Sequence, residues 1–258
     1  MPERLLVMLC TYNERENIGR LIPEIHRFAP DADVLVIDDN SPDGTGELAD
    51  AMSRDDSRIR VLHREKKEGL GAATLAGFQQ AIEEGYDLVI NMDADFSHPP
   101  AAIPRLRAGM ERADVSIGSR YIPGGGIRGW GWLRHVMSRG VNWYSKLFLG
   151  LRTHDNSGSF RCYRISKLAE LDLGRVRSKG YAFQEEILYR CRRLGCRFEE
   201  TPIVFEDRRY GSSKINALEV AAALWTIFRL GLDNLFRVPV THADRLKAAT
   251  KSQSKSER

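Results

Sequence analysis

Short apolar runs that end abruptly in polar residues set the pattern of the first half of the chain. Three of them, residues 5–10, 34–37 and 88–92, have the length and the flanks of buried strands. A stretch with helical spacing follows each run, for example residues 18–28 after the first. Strands that alternate with helices in this way predict a parallel sheet joined by right-handed crossovers. The expected fold class is therefore α/β, with a mostly parallel central sheet and flanking helices.

The rest of the chain continues this pattern up to a charged tail. Further strands are predicted at residues 59–62, 115–118, 158–164 and 197–205, and helices up to residue 52 and at 69–84, 100–113, 133–149, 183–194 and 215–236. No internal repeat and no composition shift typical of a linker precedes residue 238. We therefore predict a single domain over residues 1–238 and a disordered basic tail over residues 239–258.

Composition and charge narrow the classes of function. The formal net charge is +4, and residues 243–258 alone carry five basic residues against two acidic ones. The remainder is almost neutral, so no nucleic-acid partner is expected. The four cysteines lack metal-finger spacing and are expected to be reduced thiols. No run reaches 18 consecutive apolar residues, so no transmembrane helix is expected.

The run at residues 88–92 leads into two carboxylates and a hydroxyl, those of Asp93, Asp95 and Ser97. Ligands of open parallel sheets bind just beyond the carboxyl ends of the strands. These hard oxygen ligands suit Mg²⁺ or Mn²⁺, and Mg²⁺ usually completes its coordination with waters and substrate phosphates. The motif predicts a metal–diphosphate site. The alternative is that these residues cap the helix after Pro99-Pro100, which Ser97 can do in either case.

Four other segments have patterns that can mark a functional loop or surface. Gly69-Leu70-Gly71 resembles the start of a dinucleotide-binding fingerprint, but Thr74 replaces the third small residue, and we interpret the segment as a helix start. Residues 122–132 contain five glycines, which favour a mobile loop that closes over substrate. Residues 207–214 form a basic loop suited to phosphate, or an exposed turn. Residues 133–149 mix basic and aromatic side chains, as at a membrane or nucleic-acid interface, although composition alone favours a core helix with a solvated basic face.

Eight sequence blocks, in this order, resemble those of the family 2 glycosyltransferases of GT-A fold, and more narrowly the dolichol-phosphate (polyprenol-phosphate) mannose synthases. The resemblance spans residues 5 to about 230. The blocks are residues 11–17, 37–45, 92–98, 118–121, 138–140, 158–161, 178–181 and 208–214. Gly-Ser-Phe-Arg at 158–161 and Ser-Lys-Gly-Tyr at 178–181 separate this subgroup from other members of the family.

The resemblance implies roles for individual residues. The donor-binding residues would be Cys10 (through its backbone), Tyr12, Glu14, Ile37, Asp39, Asp93, Ala94, Asp95, Arg120, Arg208 and Lys214. The acceptor phosphate would be bound by Arg120, Arg134 and Ser138. The catalytic residues would be Asp93, Asp95 and Arg208, and the Mg²⁺ or Mn²⁺ ligands would be Asp95 and Ser97. Two positions depart from the family: Cys10 replaces a proline, and Ser97 replaces a glutamine found in some members, so Ser97 would act directly or through a water.

The implied reaction is a metal-dependent, inverting transfer of mannose from GDP-mannose to dolichyl or polyprenyl phosphate, which yields polyprenyl phosphate mannose and GDP. Some family members carry C-terminal transmembrane helices, and none is expected within this sequence. We therefore expect a peripheral protein on the cytoplasmic face of a membrane, with an acceptor loop and interfacial helices within about 122–150 and 215–236. Small membrane subunits are a further partner that the resemblance allows.

Three alternatives remain open on the residues alone. A glycoside hydrolase would place two carboxylates on either side of a glycosidic bond, whereas Asp93 and Asp95 are expected to converge on one side. A non-catalytic nucleotide-sugar-binding or scaffold protein would not need intact acidic and basic motifs. Within the transferase interpretation, the donor could be UDP-glucose or another nucleotide sugar.

Overall fold

A mixed β-sheet forms the centre of the molecule. The computed structural model describes residues 3–178, 180, 182–207 and 217–236. Within these residues the sheet has seven strands in the order β3-β2-β1-β4-β7-β5-β8, and a separate two-stranded sheet joins β6 to β9. The strands are β1 (Leu5–Thr11), β2 (Asp33–Asp38), β3 (Ile59–His63), β4 (Leu88–Asp93), β5 (Val115–Ser119), β6 (Gly126–Arg128), β7 (Arg161–Arg164), β8 (Phe198–Pro202) and β9 (Val204–Glu206).

Helices cover both faces of the central sheet. They are α1 (Arg15–Phe28), α2 (Thr45–Asp55), α3 (Leu70–Glu83), α4 (Ile103–Gly109), α5 (Trp132–Leu149), α6 (Ile165–Ala169), α7 (Phe183–Arg193) and α8 (Ala217–Phe236), with single 3₁₀ turns at Pro100–Ala102 and Leu173–Arg175. Among the residues that the structure describes, no helix has the length and apolarity needed to cross a bilayer.

The central strands β1, β2 and β4 are largely apolar because both of their faces are buried. Along β1, Leu6 and Met8 belong to the core that includes residues of α3 and α7, while Val7 and Leu9 belong to the other core, which includes residues of α1. Alternate side chains of a strand point to opposite sides, so a strand between two helical layers needs apolar residues at every position. This explains the continuous apolar runs in the sequence.

The register of the central strands brings the polar turns together. Cys10 of β1 lies opposite Ile37 of β2 on one side and opposite Asp93 of β4 on the other. All three strands run parallel, so their carboxyl ends lie at the same edge of the sheet. The residues that follow each strand therefore meet there.

The structure confirms the predicted class and differs in local detail. Strand β7 is antiparallel to both of its neighbours, β4 and β5, while the other pairings of the central sheet are parallel. The strand predicted at residues 197–205 is two strands in two sheets, because β9 leaves β8 to pair with β6. Part of the predicted glycine-rich loop is therefore strand β6. The predicted tail, residues 239–258, lies outside the described residues.

Candidate active site

The carboxyl edge of β2, β1 and β4 collects the residues predicted for the donor and the metal. Asp93 ends β4, and its Oδ1 accepts a hydrogen bond of 2.9 Å from Ser159 Oγ. The chain then turns sharply, with Phe96 at a positive φ of 63°. The turn is closed by the Ser97 amide, which donates to Asp95 Oδ1 at 3.0 Å. Asp95 thus lies beyond the strand, in a tight loop directly above it.

Two buried oxygen-bearing side chains in this loop fit a divalent cation. Asp95 and Ser97 are both almost fully buried. The Ser97 hydroxyl oxygen has no hydrogen-bond partner within the described part of the chain. A buried hydroxyl without a partner is costly, so a ligand at this oxygen would satisfy it. No cluster of three or more His, Cys, Asp or Glu side chains suited to a metal occurs among the described residues. A site of one or two carboxylates that relies on substrate phosphates, as Mg²⁺ sites often do, matches this donor set.

His98 fixes the backbone at the start of the acidic loop, a structural role that the sequence did not reveal. Its ring stacks on Phe160 at 4.9 Å between centroids, and its Nδ1 accepts a hydrogen bond of 3.1 Å from the Asp93 amide. Burial lowers the pKa of His98 although Asp93 opposes the shift, so the ring is neutral and its Nδ1 is free to accept. The position of His98 directly after the acidic motif was the one hint of this role in the sequence. Periodicity does not show that its ring turns back towards Asp93.

The residues predicted for the nucleoside lie on the β1 and β2 side of this loop. Tyr12 is partly exposed, and the Lys67 ammonium lies 3.7 Å from the centroid of its ring. Asp39 accepts a hydrogen bond from Arg64, which ties the charged loop before α3 to this site. Burial raises the pKa of Asp39, and Arg64 opposes that shift. Lys67 and Arg64, which the sequence did not single out, thus contact two of the residues predicted for the nucleoside.

The structure gives the other predicted donor residues contacts within the fold. The Glu14 carboxylate accepts a hydrogen bond of 2.6 Å from Asn17, and Ile37 and Ala94 are buried. Burial raises the pKa of Cys10 to about 12, so this thiol stays protonated and is not a nucleophile. Arg208 and Lys214, predicted to neutralise phosphate, lie outside the described residues.

Two of the predicted acceptor residues, Arg120 and Arg134, lie against Trp130, and the third, Ser138, contacts Tyr121 beside Arg120. The guanidinium carbons of Arg134 and Arg120 lie 4.1 Å and 5.5 Å from the centroid of an indole ring, that of Trp130. Ser138, one turn after Arg134 on α5, accepts a hydrogen bond of 2.7 Å from the Tyr121 hydroxyl. Arg120 is buried in a bidentate pair with Asp155, whereas Arg134 pairs with Asp207 near the surface. The geometry therefore assembles these residues, but in two different electrostatic settings.

Comparisons with known proteins identify the family of the chain. The chain matches the family described as Glycosyl transferase family 2 over residues 6–172. It is 43% identical to a polyprenol monophosphomannose synthase of Mycolicibacterium smegmatis, with 89% of this chain and 88% of that protein covered. It is 42% identical to an undecaprenyl-phosphate mannosyltransferase of Micrococcus luteus, with 89% and 94% covered.

Solved structures with low sequence identity share the fold. The glucosyl-3-phosphoglycerate synthase of Mycobacterium tuberculosis, in complex with phosphoglyceric acid, superposes with a TM-score of 0.66 at 20% identity, covering 88% of this chain and 81% of that one. A mannosyltransferase of Pyrobaculum calidifontis in complex with GDP-Man and Mn²⁺ gives a TM-score of 0.52 at 15% identity, covering 97% and 80%. The expected GT-A fold is thereby confirmed. The family match and the two close relatives show that the chain belongs to the family 2 glycosyltransferases.

Proposed function

We propose that the protein is a dolichyl/polyprenyl-phosphate β-D-mannosyltransferase that moves mannose from GDP-mannose to a polyprenyl phosphate with inversion. Two relatives at 42–43% identity are named a polyprenol monophosphomannose synthase and an undecaprenyl-phosphate mannosyltransferase, and a neighbour in fold binds GDP-Man and Mn²⁺. The observation that carries the proposal is the convergence of two sites. An acidic loop with an unpartnered buried hydroxyl lies at the edge of the sheet, and an arginine pair lies on Trp130, whose ring contacts Phe205 as does His98 of that loop.

The donor side of the site is built to orient a sugar diphosphate. Ser159 and His98 hold Asp93 through its side chain and its amide, so the carboxylate can fix the sugar without moving. Asp95 and Ser97 would hold Mg²⁺ or Mn²⁺, which supplies positive charge as negative charge develops on the leaving diphosphate. Arg208 and Lys214 would add to this stabilisation.

The acceptor side needs positioning more than it needs a base. A phosphate monoester is largely dianionic at pH 7, because its second pKa is about 6. Arg134 and Ser138 lie one helical turn apart on α5 and would hold this phosphate in line with the anomeric carbon. Arg120, held by its ion pair with Asp155, would keep the site in shape, and its positive charge would also attract the acceptor phosphate. Attack from the face opposite to GDP inverts the α-linked mannose to a β-linked product.

An apolar face of α5 and α8 suits a lipid acceptor. Trp132, Trp143 and Leu147 share one side of α5, and the two tryptophans are 76% and 65% exposed. Trp225 of α8 is 64% exposed and lies beside Phe228, which contacts Phe148 of α5. Basic side chains of α5, such as Arg139, border this face. Aromatic and basic residues together favour the interface of an anionic membrane, and we propose that this face docks on its surface.

A donor and acceptor panel tests the proposal. Purified protein is incubated with radiolabelled GDP-mannose, UDP-glucose and other nucleotide sugars, each with polyprenyl phosphate or polyprenol, with and without Mn²⁺. We expect label in the lipid fraction only with GDP-mannose, the phosphorylated lipid and the metal. Transfer from UDP-glucose would assign a different donor. Nucleotide-sugar binding without any transfer would indicate a non-catalytic protein.

A further inference from the structure

The two arginines on Trp130 have counter-ions of different kinds. Arg120 donates two hydrogen bonds of 2.7 Å to Asp155, and the two side chains are 7% and 0% exposed. The Asp155 carboxylate also accepts from the Gly158 amide at 3.0 Å. Burial opposes the ionisation of Asp155, but Arg120 outweighs it and holds the pKa of this carboxyl below its ordinary value. Breaking such a pair leaves a buried charge alone, so Asp155 is a permanent partner.

Arg134 has a partner that a ligand can replace. Its Nη1 lies 3.0 Å from Asp207 Oδ1, and the side chains are 29% and 38% exposed. Ion pairs at this exposure are weak, because water screens them and also solvates each group when they separate. Stacking on Trp130 keeps the Arg134 guanidinium in place without the carboxylate. An incoming anion can therefore take the place of Asp207 while Arg134 stays where it is.

Backbone contacts fix the position of Asp207 beside Arg134, and they do not depend on the ion pair between the two side chains. Its amide donates to the Arg128 carbonyl at 3.0 Å, which extends the pairing of β6 with β9. Gly129, with a φ of 88°, packs directly on Asp207, since a Cβ at Gly129 would lie 2.9 Å from the Asp207 Cβ. Asp207 is thus held at the acceptor site by the small sheet, ready to meet Arg134 whenever no other anion does.

The charge on the acceptor changes during the proposed reaction. The bond from the anomeric carbon to the diphosphate oxygen breaks, and a bond from the same carbon to an acceptor phosphate oxygen forms. The acceptor begins as a monoester with nearly two negative charges and ends as a diester with one. The electrostatic attraction between the lipid phosphate and Arg134 therefore weakens when transfer is complete.

We propose that Asp207 is an internal counter-anion of the acceptor site. A phosphate monoester displaces Asp207 from Arg134, and Asp207 pairs with Arg134 again when the diester product leaves. This inference rests on the proposed function. Asp207 lowers the affinity of the site for both lipids and so favours product release. It is a positioning residue, because it acts through Arg134 and not on the reacting atoms.

Binding of farnesyl phosphate, measured by calorimetry without donor, tests the inference. In Asp207→Asn, loss of the competing charge should lower the dissociation constant by roughly two- to fivefold, the range expected for an exposed ion pair. The same variant should show stronger inhibition by the diester product. Glu206→Gln is the matched control. It removes the same charge one residue earlier, from a pair with Arg128 at 3.4 Å, and should leave binding unchanged.

The Arg134→Ala background separates the inference from general electrostatics. There, adding Asp207→Asn should not tighten binding further, because the residue through which it acts is missing. Equal or weaker binding by Asp207→Asn, or an equal gain in Glu206→Gln or in the Arg134→Ala background, would overturn the inference. If wild type neither binds farnesyl phosphate nor transfers mannose, the proposed function itself fails, and this inference with it.

Discussion

At the scale of single residues, burial decides how a charged side chain can take part in the site. Arg120 and Arg134 were both predicted to bind phosphate, and nothing in the sequence separates them. In the structure the first is buried with Asp155 and the second stays half-exposed with Asp207. The first is therefore suited to hold the site together, and the second to exchange partners with a ligand.

Glu185, in the first turn of α7, is a buried carboxyl with a function in stability. One of its oxygens has no hydrogen-bond partner within the described residues. Burial raises its pKa to about 7, although the nearby Arg161 and Arg120 oppose the shift and Asp155 adds to it. The protonated form is thus favoured in the folded protein, and its stabilising contribution is complete below the ordinary value of 4.5. That contribution is lost as the pH rises through about 7.

Glu185→Gln should therefore change the pH dependence of stability. A neutral amide avoids the cost of a buried charge, so we expect the variant to be more stable than wild type at pH 8 by roughly 1–3 kcal/mol. Near pH 5 the difference should become small. Denaturant titration of both proteins from pH 5 to pH 8 measures this. A pH-independent difference would show that Glu185 acts through packing alone.

At the scale of elements, α3 approaches the sheet closely because Gly77 has no side chain. A Cβ at this position would lie 2.5 Å from Ile37 Cδ1 and 2.8 Å from Met8 Sδ. Both neighbours are fully buried core side chains. The helix must shift, or the core must repack, to admit even a methyl group.

We expect Gly77→Ala to destabilise the protein by roughly 1–3 kcal/mol, the usual range for overpacking. Gly140→Ala is the matched control in α5, where nothing lies within 4 Å of the added Cβ. That change should be neutral or stabilise by up to about 1 kcal/mol, through helix propensity. Thermal unfolding of the two variants decides the matter. Similar melting temperatures would mean that the α3 contact is looser than the geometry indicates.

The same scale shows what sequence patterns can predict. Continuous apolar runs predicted β1, β2 and β4, and the polar residues after them meet at one edge of the sheet, where the candidate site lies. The antiparallel direction of β7 was not predictable, because an apolar run has the same composition in either direction. Strands β6 and β9 have three residues each and are defined by pairing with each other across the fold. His98, Ser159 and Lys67 were missed in the site because their roles depend on contacts between distant segments.

At the scale of the whole molecule, the sheet places the candidate site at one edge, and we propose that the apolar face of α5 and α8 docks on the membrane that holds the lipid acceptor. Leu147→Glu and Trp143→Glu put charge on that face and should reduce sedimentation with anionic phosphatidylglycerol vesicles by about tenfold. Leu70→Glu, an exposed apolar residue at the start of α3, is the control and should bind as wild type does. Equal vesicle binding by all four proteins would remove the docking role from this face.

The central claim is mannosyl transfer that depends on the acidic loop, and Asp95→Asn tests it most directly. Transfer of label from GDP-mannose to polyprenyl phosphate is measured in saturating Mn²⁺, with circular dichroism to confirm the fold. The control is Asp87→Asn, just before β4, where the carboxylate accepts a hydrogen bond of 2.8 Å from the Arg4 amide. We predict that Asp95→Asn loses about 100-fold or more in turnover, while Asp87→Asn keeps the wild-type rate. Near-wild-type turnover of a folded Asp95→Asn variant would contradict the account.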